Sequence, residues 1–518
     1  MRNFIILLGE KRGVYLLLIS CMAVVTGSEA ALHPLLMKAI FDAVSARESF
    51  SSFVPLGLGY LALGVIINIL NYLLSLWKLK VDNSIVADVS HNMLKAYFAK
   101  SYAEVLREGN GYYIARIRSD VQDGLLPMLS SVRSMAISIT TFLVLISVLI
   151  FLSWQAFLIL SIIIPVSTAI TIFVGRKIRD LTNIERDTEA ALMDVLSRSI
   201  GAFKMVRSFS LLPKTLKKFS SSLDFALSSN YMKLRTVRLL QGAGDLTMVV
   251  SDVCSIFVGA FLVIRNQMTL GSFIAFMNAF WRSATTLIDI FNSWAELHGY
   301  SATIDRLTFF MQSIQTNPSY MLGSNISANA ITYAYSEKSV LADFSLNMEA
   351  GQKTLILGEN GAGKTTLANI LCGILTPTSG SLMLPAKISG ITLPVHFPPI
   401  LVGELPIEPE LLSIFGIDHP SILDSRPEFL SAGQQQKVAL SLALSADAEL
   451  YVLDEPLANL DTSSSVLAMQ EIQRRTKDRM LVMIMHNAEA YKSIFDKICI
   501  LKSTIEEDYL LLDPVKKD

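Results

Sequence analysis

The chain has 518 residues, of which 52% are hydrophobic and 17% charged, and its mean hydropathy is +0.47. That balance excludes an ordinary soluble enzyme and a disordered chain, and 44 basic against 45 acidic residues give no net field that would draw nucleic acid. Cys21, Cys254, Cys372 and Cys499 lie far apart without C-x-x-C spacing, so neither a disulfide framework nor a structural zinc site is expected.

From the N-terminus, six apolar stretches are long enough to cross a bilayer, which takes about twenty residues: 14–37, 53–77, 129–152, 155–174, 246–264 and 270–291. Their connections alternate between short and long. The two long ones, 78–128 and 175–245, carry seven and thirteen Lys or Arg residues, whereas the short ones carry only Lys38, Arg47 and Arg265. The positive-inside rule therefore puts both termini and the long loops in the cytoplasm. A cleaved signal peptide ending at Ser28-Glu29-Ala30 is the competing reading of the first stretch, and it would break the even set of six.

The long loops are too periodic for disorder and read as helices continuing out of the membrane. At the first turn, Gly109-Asn110-Gly111 breaks one helix, and Arg116 and Asp120 are spaced i, i+4 on the next. The second turn falls near Gly201. Beyond 312–327, a Ser- and Asn-rich linker, β-branched runs alternate with helical stretches, which predicts a mostly parallel α/β sheet over 328–518 behind an all-α transmembrane domain at 1–311.

In that second half the run Gly358, Glu359, Asn360, Gly361, Ala362, Gly363, Lys364, Thr365, followed by Thr366, stands between an apolar strand and a helix, the context of a phosphate-binding loop. Such a loop turns backbone N–H groups toward phosphates, Lys364 supplies charge to the β- and γ-phosphates of ATP, and the Thr365 hydroxyl can ligate Mg2+. At the end of the strand LYVLD, Asp454 suits the Mg2+ sphere and Glu455 suits a base that polarises the attacking water. Two adjacent carboxylates repel unless a cation is near. Ser431 caps a helix that opens Ser431-Ala432-Gly433-Gln434.

The phosphate loop, the Leu430-to-Gln434 segment and the acidic pair together resemble ATP-binding cassette (ABC) proteins, and the six stretches ahead of one cassette are similar to an exporter-type half-transporter. The resemblance covers essentially the whole chain. It implies two chains paired as a homodimer or with a related half, each ATP lying between one chain's phosphate loop and the other's Ser431, Gly433 and Gln434. It also implies Tyr335 stacked on adenine, with Tyr333 as a rival, Asp461 in the loop between the two sites, and His486 at the γ-phosphate. The turns near Gly111 and Gly201 resemble coupling helices.

Three departures stand out. Aligning ILVG (400–403) to the usual turn puts His396 where exporters carry a glutamine. Only 65 residues separate Lys364 from Leu430, so the helical subdomain must be short. Ala432 replaces a glycine and Asn487 a basic residue, neither removing a charged catalytic group, so active ATP hydrolysis is expected.

Ionisable residues inside the spans are costly and mark a cavity or a partner helix. Glu29 and His33 share one face, as do Arg282 and Asp289, and Asp252 is expected to pair with Arg282, while Arg133 can snorkel. The alternative is a mixed-charge substrate cavity that also takes in Asn278, Phe280 and Trp281. No leader-processing protease domain is expected ahead of the spans. The reading is a cell-membrane pump, by resemblance bacterial, in contact with membrane lipids and moving a peptide, lipid or small amphiphile. An importer of exporter-like fold and an ATP-binding regulatory subunit are the competitors.

Overall fold

The computed structural model describes residues 2–47, 50–161, 163–312, 320–335, 338–486, 489–501 and 510–512. Two compact units emerge: Met1–Met93 with Ala115–Met311, and Leu94–Ile114 with Gln312–Asp518.

The first unit is helical. After a short helix, Arg2–Leu8, come α1 (Arg12–Ser45), α2 (Phe50–Phe98), α3 (Leu126–Leu160), α4 (Ile163–Gly201), α5 (Leu212–Ile264) and α6 (Leu270–Gln312). Among the described residues, Arg2–Ser45, Phe53–Phe98 and Asn110–Leu160 contain stretches long and apolar enough to cross a membrane, and Asp252–Ile264 is a shorter apolar helix. The fourth stretch, 155–174, falls largely on residues whose side chains lie outside the description. The sixth lies in α6, where Asn278, Arg282 and Asp289 interrupt the apolar run.

Where the sequence turns between its third and fourth stretches, Ser153 leaves helical geometry (φ −166°, ψ 104°) and its Oγ accepts from the Ala156 N–H at 3.3 Å. Ser101 caps the short helix Tyr102–Glu108 by accepting from the Glu104 N–H, and Gly109 ends it at φ 77°, a left-handed value cheap only for glycine. Past that turn, Arg116 donates to Asp120 at 2.6 Å, and Arg306 of α6 reaches the same carboxylate at 3.3 Å.

Packing inside this unit rests on small-against-large contacts. Ala30 of α1, Leu145 and Leu149 of α3, Leu262 of α5, and Phe276, Ala279 and Phe280 of α6 form one buried cluster. Phe280 is 3% exposed and stacks on Phe276, so it belongs to the core and not to a cavity wall. Polar contacts pin α1 or the helix before it to α6 at three levels: Asn3 to Asp305 at 2.7 Å, Glu29 to Arg282 at 3.1 Å, and Asp42, which accepts from the Gly271 N–H at 3.0 Å. A Cβ at Gly271 would lie 2.3 Å from the Lys38 carbonyl oxygen, so this approach needs glycine.

Two expectations for the charged groups are corrected. Arg282 takes Glu29 as its partner where Asp252 was expected, because α1 brings that carboxylate within 3.1 Å of its guanidinium. Arg133 does not snorkel: its guanidinium donates two bonds of 3.0 Å to Asp82 of α2, and the pair is buried, at 3% and 8% exposure. The Tyr15 ring lies over Arg133, while its hydroxyl donates to the Leu129 carbonyl at 2.6 Å.

Among its described residues the second unit carries ten strands: β1 (Met321–Leu322), β2 (Ile326–Tyr335), β3 (Lys338–Met348), β4 (Lys353–Gly358), β5 (Ser379–Leu384), β6 (Ile388–Ile391), β7 (Leu450–Asp454), β8 (Met480–Ile484), β9 (Lys497–Leu501) and β10 (Leu510–Leu512). They form a four-stranded sheet, β1-β5-β2-β3, and a six-stranded one, β10-β9-β4-β8-β7-β6, parallel except at β10. Strands β7 and β8 are buried throughout, as continuous apolar runs covered on both faces must be.

The crossover helices are α7 (Lys364–Leu371), α8 (Ala432–Ser445) and α9 (Thr462–Arg475). Between α7 and α8 only two short α-helices occur, Pro409–Ile414 and Pro420–Leu423. The first is tied to the end of α9, where Arg474 and Arg475 reach Glu410 at 2.9 and 3.0 Å.

Candidate nucleotide site

Parallel strands bring the ends of β4, β7 and β8 to one edge of the sheet, where ligands of open α/β sheets bind. The loop after β4 turns through Gly361 and Gly363, both at φ 87°, into the first turn of α7. Glycine is needed twice over at Gly363, since a Cβ there would meet the Val340 carbonyl oxygen at 2.8 Å. Lys364 folds back and donates to the Gly358 and Glu359 carbonyls at 2.7 and 2.8 Å. Burial lowers its pKa against the pull of Glu455 and Asp454, a cost that a bound anion would relieve.

The Thr365 hydroxyl donates to the Asp454 Oδ2 at 2.8 Å. Burial raises the Asp454 carboxyl above the usual range, against that hydrogen bond and one from the Leu393 backbone. A hydroxyl and a buried carboxylate in contact are hard oxygen donors that suit a divalent cation such as Mg2+. One residue on, Glu455 sits at φ 49°, held by its N–H to the Ile484 carbonyl at 2.9 Å, and its Oε1 lies 3.0 Å from the His486 Nε2. Such a backbone costs free energy and persists because the ends of β7 and β8 hold it.

Lys364, Thr365, Glu455 and His486 share one cavity of about 260 Å³ with Val340, Asn360, Gly361, Gly363 and Thr366, and Asp454 meets it through Thr365. Of the other residues singled out in the loop, Gly358 lies against the Leu501 backbone, Ala362 is buried in the core, and Glu359 contributes its carbonyl to Lys364. Tyr333 is 5% exposed and Tyr335 38%, with the rings edge to face at 4.9 Å, so only the second has a surface to offer a base.

Ser431, Gly433, Gln434 and Asp461 do not line that cavity. Ser431 caps α8 in a reciprocal pairing with Gln434, and Gly433 packs so closely that a Cβ would lie 2.9 Å from the Asn459 carbonyl oxygen. Asp461 caps α9, accepting from the Ser464 N–H and from Ser463, and these bonds hold its carboxyl well below the usual range. A Ser431→Ala chain is expected to lose about 1 kcal/mol of stability, read as a lower denaturation midpoint. His396 is exposed on the loop after β6 and outside the cavity; the residue that this loop holds against Asp454 is Leu393. Asn487 lies outside the described residues.

Sequence reasoning missed Val340, Leu393 and Gln436, whose side-chain amide donates to the Glu455 and Pro456 carbonyls at 3.2 and 3.0 Å. Counting from the end of β6 would have found Leu393. The third glutamine of a Gln-Gln-Gln run carried no signal that one of them points inward.

Residues 16–282 match the ABC transporter transmembrane region, and residues 341–394 match the ABC transporter family. The chain belongs to the ABC transporters. It is an exporter-type half-transporter, one transmembrane domain and one nucleotide-binding domain, and thus a membrane-bound ATPase coupled to transport. Among its relatives are an ATP-dependent lipid A-core flippase of Syntrophus aciditrophicus, 22% identical over 83% of this chain and 78% of the flippase, and an uncharacterized ABC transporter ATP-binding protein, YwjA, of Bacillus subtilis, 20% identical over 94% and 91%. The mitochondrial potassium channel ATP-binding subunit of Homo sapiens is 22% identical over 65% of this chain and 52% of that protein.

Proposed function

We propose that this transporter is a homodimeric exporter of a bacterial inner membrane, with its nucleotide-binding domain in the cytoplasm, and that it moves an amphiphile, whether peptide, lipid or small molecule. Residues 1–311 supply six spans and 328–518 the body of the cassette, while 312–327 joins them and gives β1 and the start of β2 to the cassette's sheet. The observation that carries this reading is the convergence of Lys364, the Thr365–Asp454 pair and the Glu455–His486 pair on one cavity.

In this scheme the loop 358–365 cradles the phosphates of ATP, Lys364 exchanges its two backbone carbonyls for phosphate oxygens, and Tyr335 stacks on adenine. Thr365 and Asp454 hold Mg2+, which when bound supplies positive charge beside the transferred phosphate. Glu455 accepts the proton of the attacking water, and His486, donating from Nε2, fixes that carboxylate and faces the γ-phosphate. Ser431, Gly433 and Gln434 lie outside the cavity of their own chain, which supports a second copy as their user, with Asp461 between the two sites. Lys364→Ala is expected to weaken ATP binding by about ten- to a hundredfold, the cost of a charge-assisted bond, as measured by fluorescent-nucleotide titration.

A second reading, an ATP-binding subunit serving another transport protein, draws on the name of the human relative. Proteoliposomes holding this chain alone separate the two. Outward movement of labelled amphiphiles that needs ATP and is lost in Lys364→Ala is the expected result. ATP binding with no movement of any amphiphile would favour the subunit.

A further inference from the structure

Of the ion pairs in the helical unit, Arg133–Asp82 and Arg282–Glu29 differ in a way that separates scaffold from site. Arg133 and Asp82 meet through two bonds and are almost wholly buried. Arg282 and Glu29 meet through one contact of 3.1 Å, with 26% and 31% of their side chains exposed. Charge within a span is too costly to leave against lipid, so that exposed part faces a polar space.

The neighbours of the open pair are themselves unfinished. His33, one turn from Glu29 on α1, meets the Tyr60 hydroxyl of α2 through Nε2, and its buried Nδ1 has no hydrogen-bond partner among the described residues. Asn278, one turn before Arg282 on α6, likewise has a buried Oδ1 without a partner among the described residues. Buried polar groups are normally satisfied, and two unmet atoms beside one open ion pair point to a polar ligand. Tyr60 also lines a groove of about 440 Å³ along α2, with Leu61, Gly64, Val65, Asn68 and Ile69, where a Cβ at Gly64 would touch nothing within 4 Å.

We infer that Glu29, Arg282, His33, Tyr60 and Asn278 form a head-group site for a zwitterionic amphiphile, whose ammonium group is held by Glu29 and whose anionic group is held by Arg282, with its apolar chain in the groove beside Tyr60. The inference rests on the reading of this chain as a pump for an amphiphile. Charge balance selects the head group: a net anion must part Arg282 from Glu29 and leave that carboxylate unmatched, whereas a zwitterion enters between them and matches both. The Asn278 Oδ1 accepts from the ammonium or from a hydroxyl of the head group.

The test is binding of pyrene-labelled phosphatidylethanolamine and phosphatidylglycerol to the full chain in detergent without nucleotide, so that a failure of ATP turnover does not register in it. Wild type is expected to prefer the zwitterionic lipid by about fivefold, and Glu29→Gln to abolish or reverse that preference. Asn278→Leu is expected to weaken binding of the zwitterionic lipid by about fivefold with an unchanged or higher unfolding midpoint, since an unmet buried acceptor has gone. That variant decides the matter if Glu29→Gln does not fold. Equal binding of the two lipids by wild type, or a preference unaltered in Asn278→Leu, overturns the inference and makes the pair a structural one.

Discussion

Replacing Glu455 with glutamine is expected to lower ATP turnover by about 10²–10⁴-fold, the usual contribution of a positioned general base, and to leave ATP affinity close to that of wild type. Glutamine keeps the shape and an oxygen acceptor facing the His486 Nε2, now 3.0 Å from the Glu455 Oε1, but it cannot take a proton. The backbone that aims the side chain is unaffected, because φ 49° at this position is set by the N–H bond to Ile484 and by Gln436, which donates to the carbonyl of the same residue. Phosphate release over time, paired with a nucleotide-binding titration, checks both halves. A variant that keeps more than about a tenth of wild-type turnover would move the base elsewhere.

The second large effect lies far from ATP. Arg133→Ala leaves the Asp82 carboxylate buried at 8% exposure without either of its two guanidinium bonds, and a buried charge stripped of its partner costs about 3–5 kcal/mol. Asp82→Ala strands the guanidinium and is expected to cost a similar amount. Replacing both residues at once, as Arg133→Met with Asp82→Leu, removes both charges and should recover most of the loss. Thermal unfolding of the purified chain at fixed lipid content reads all three variants. Single variants as stable as wild type would mean that water reaches the pair.

Much of the helical architecture was legible in the sequence because apolar runs and turn glycines act locally: Gly109 ends its helix, and Ser153 breaks one where the run is interrupted. The phosphate loop was legible for the same reason, since strand, glycines and helix are contiguous. Partners across helices were not. Arg133 and Asp82 lie 51 positions apart and Arg282 and Glu29 lie 253 apart, so which charge meets which depends on which helices become neighbours. His396 was placed by counting back from a downstream turn, and nothing local in the sequence marks Leu393 as the residue of this loop whose backbone meets Asp454. Gln436 escaped because burial separates it from two identical neighbours.

The central claim is that this chain, without another protein, binds and hydrolyses ATP in a membrane. Its most direct test is Mg2+-dependent phosphate release by the purified chain as the sole protein in lipid nanodiscs. The account predicts steady turnover by the wild-type chain that disappears in Glu455→Gln. Saturable ATP binding with no phosphate release by the wild-type chain would contradict it.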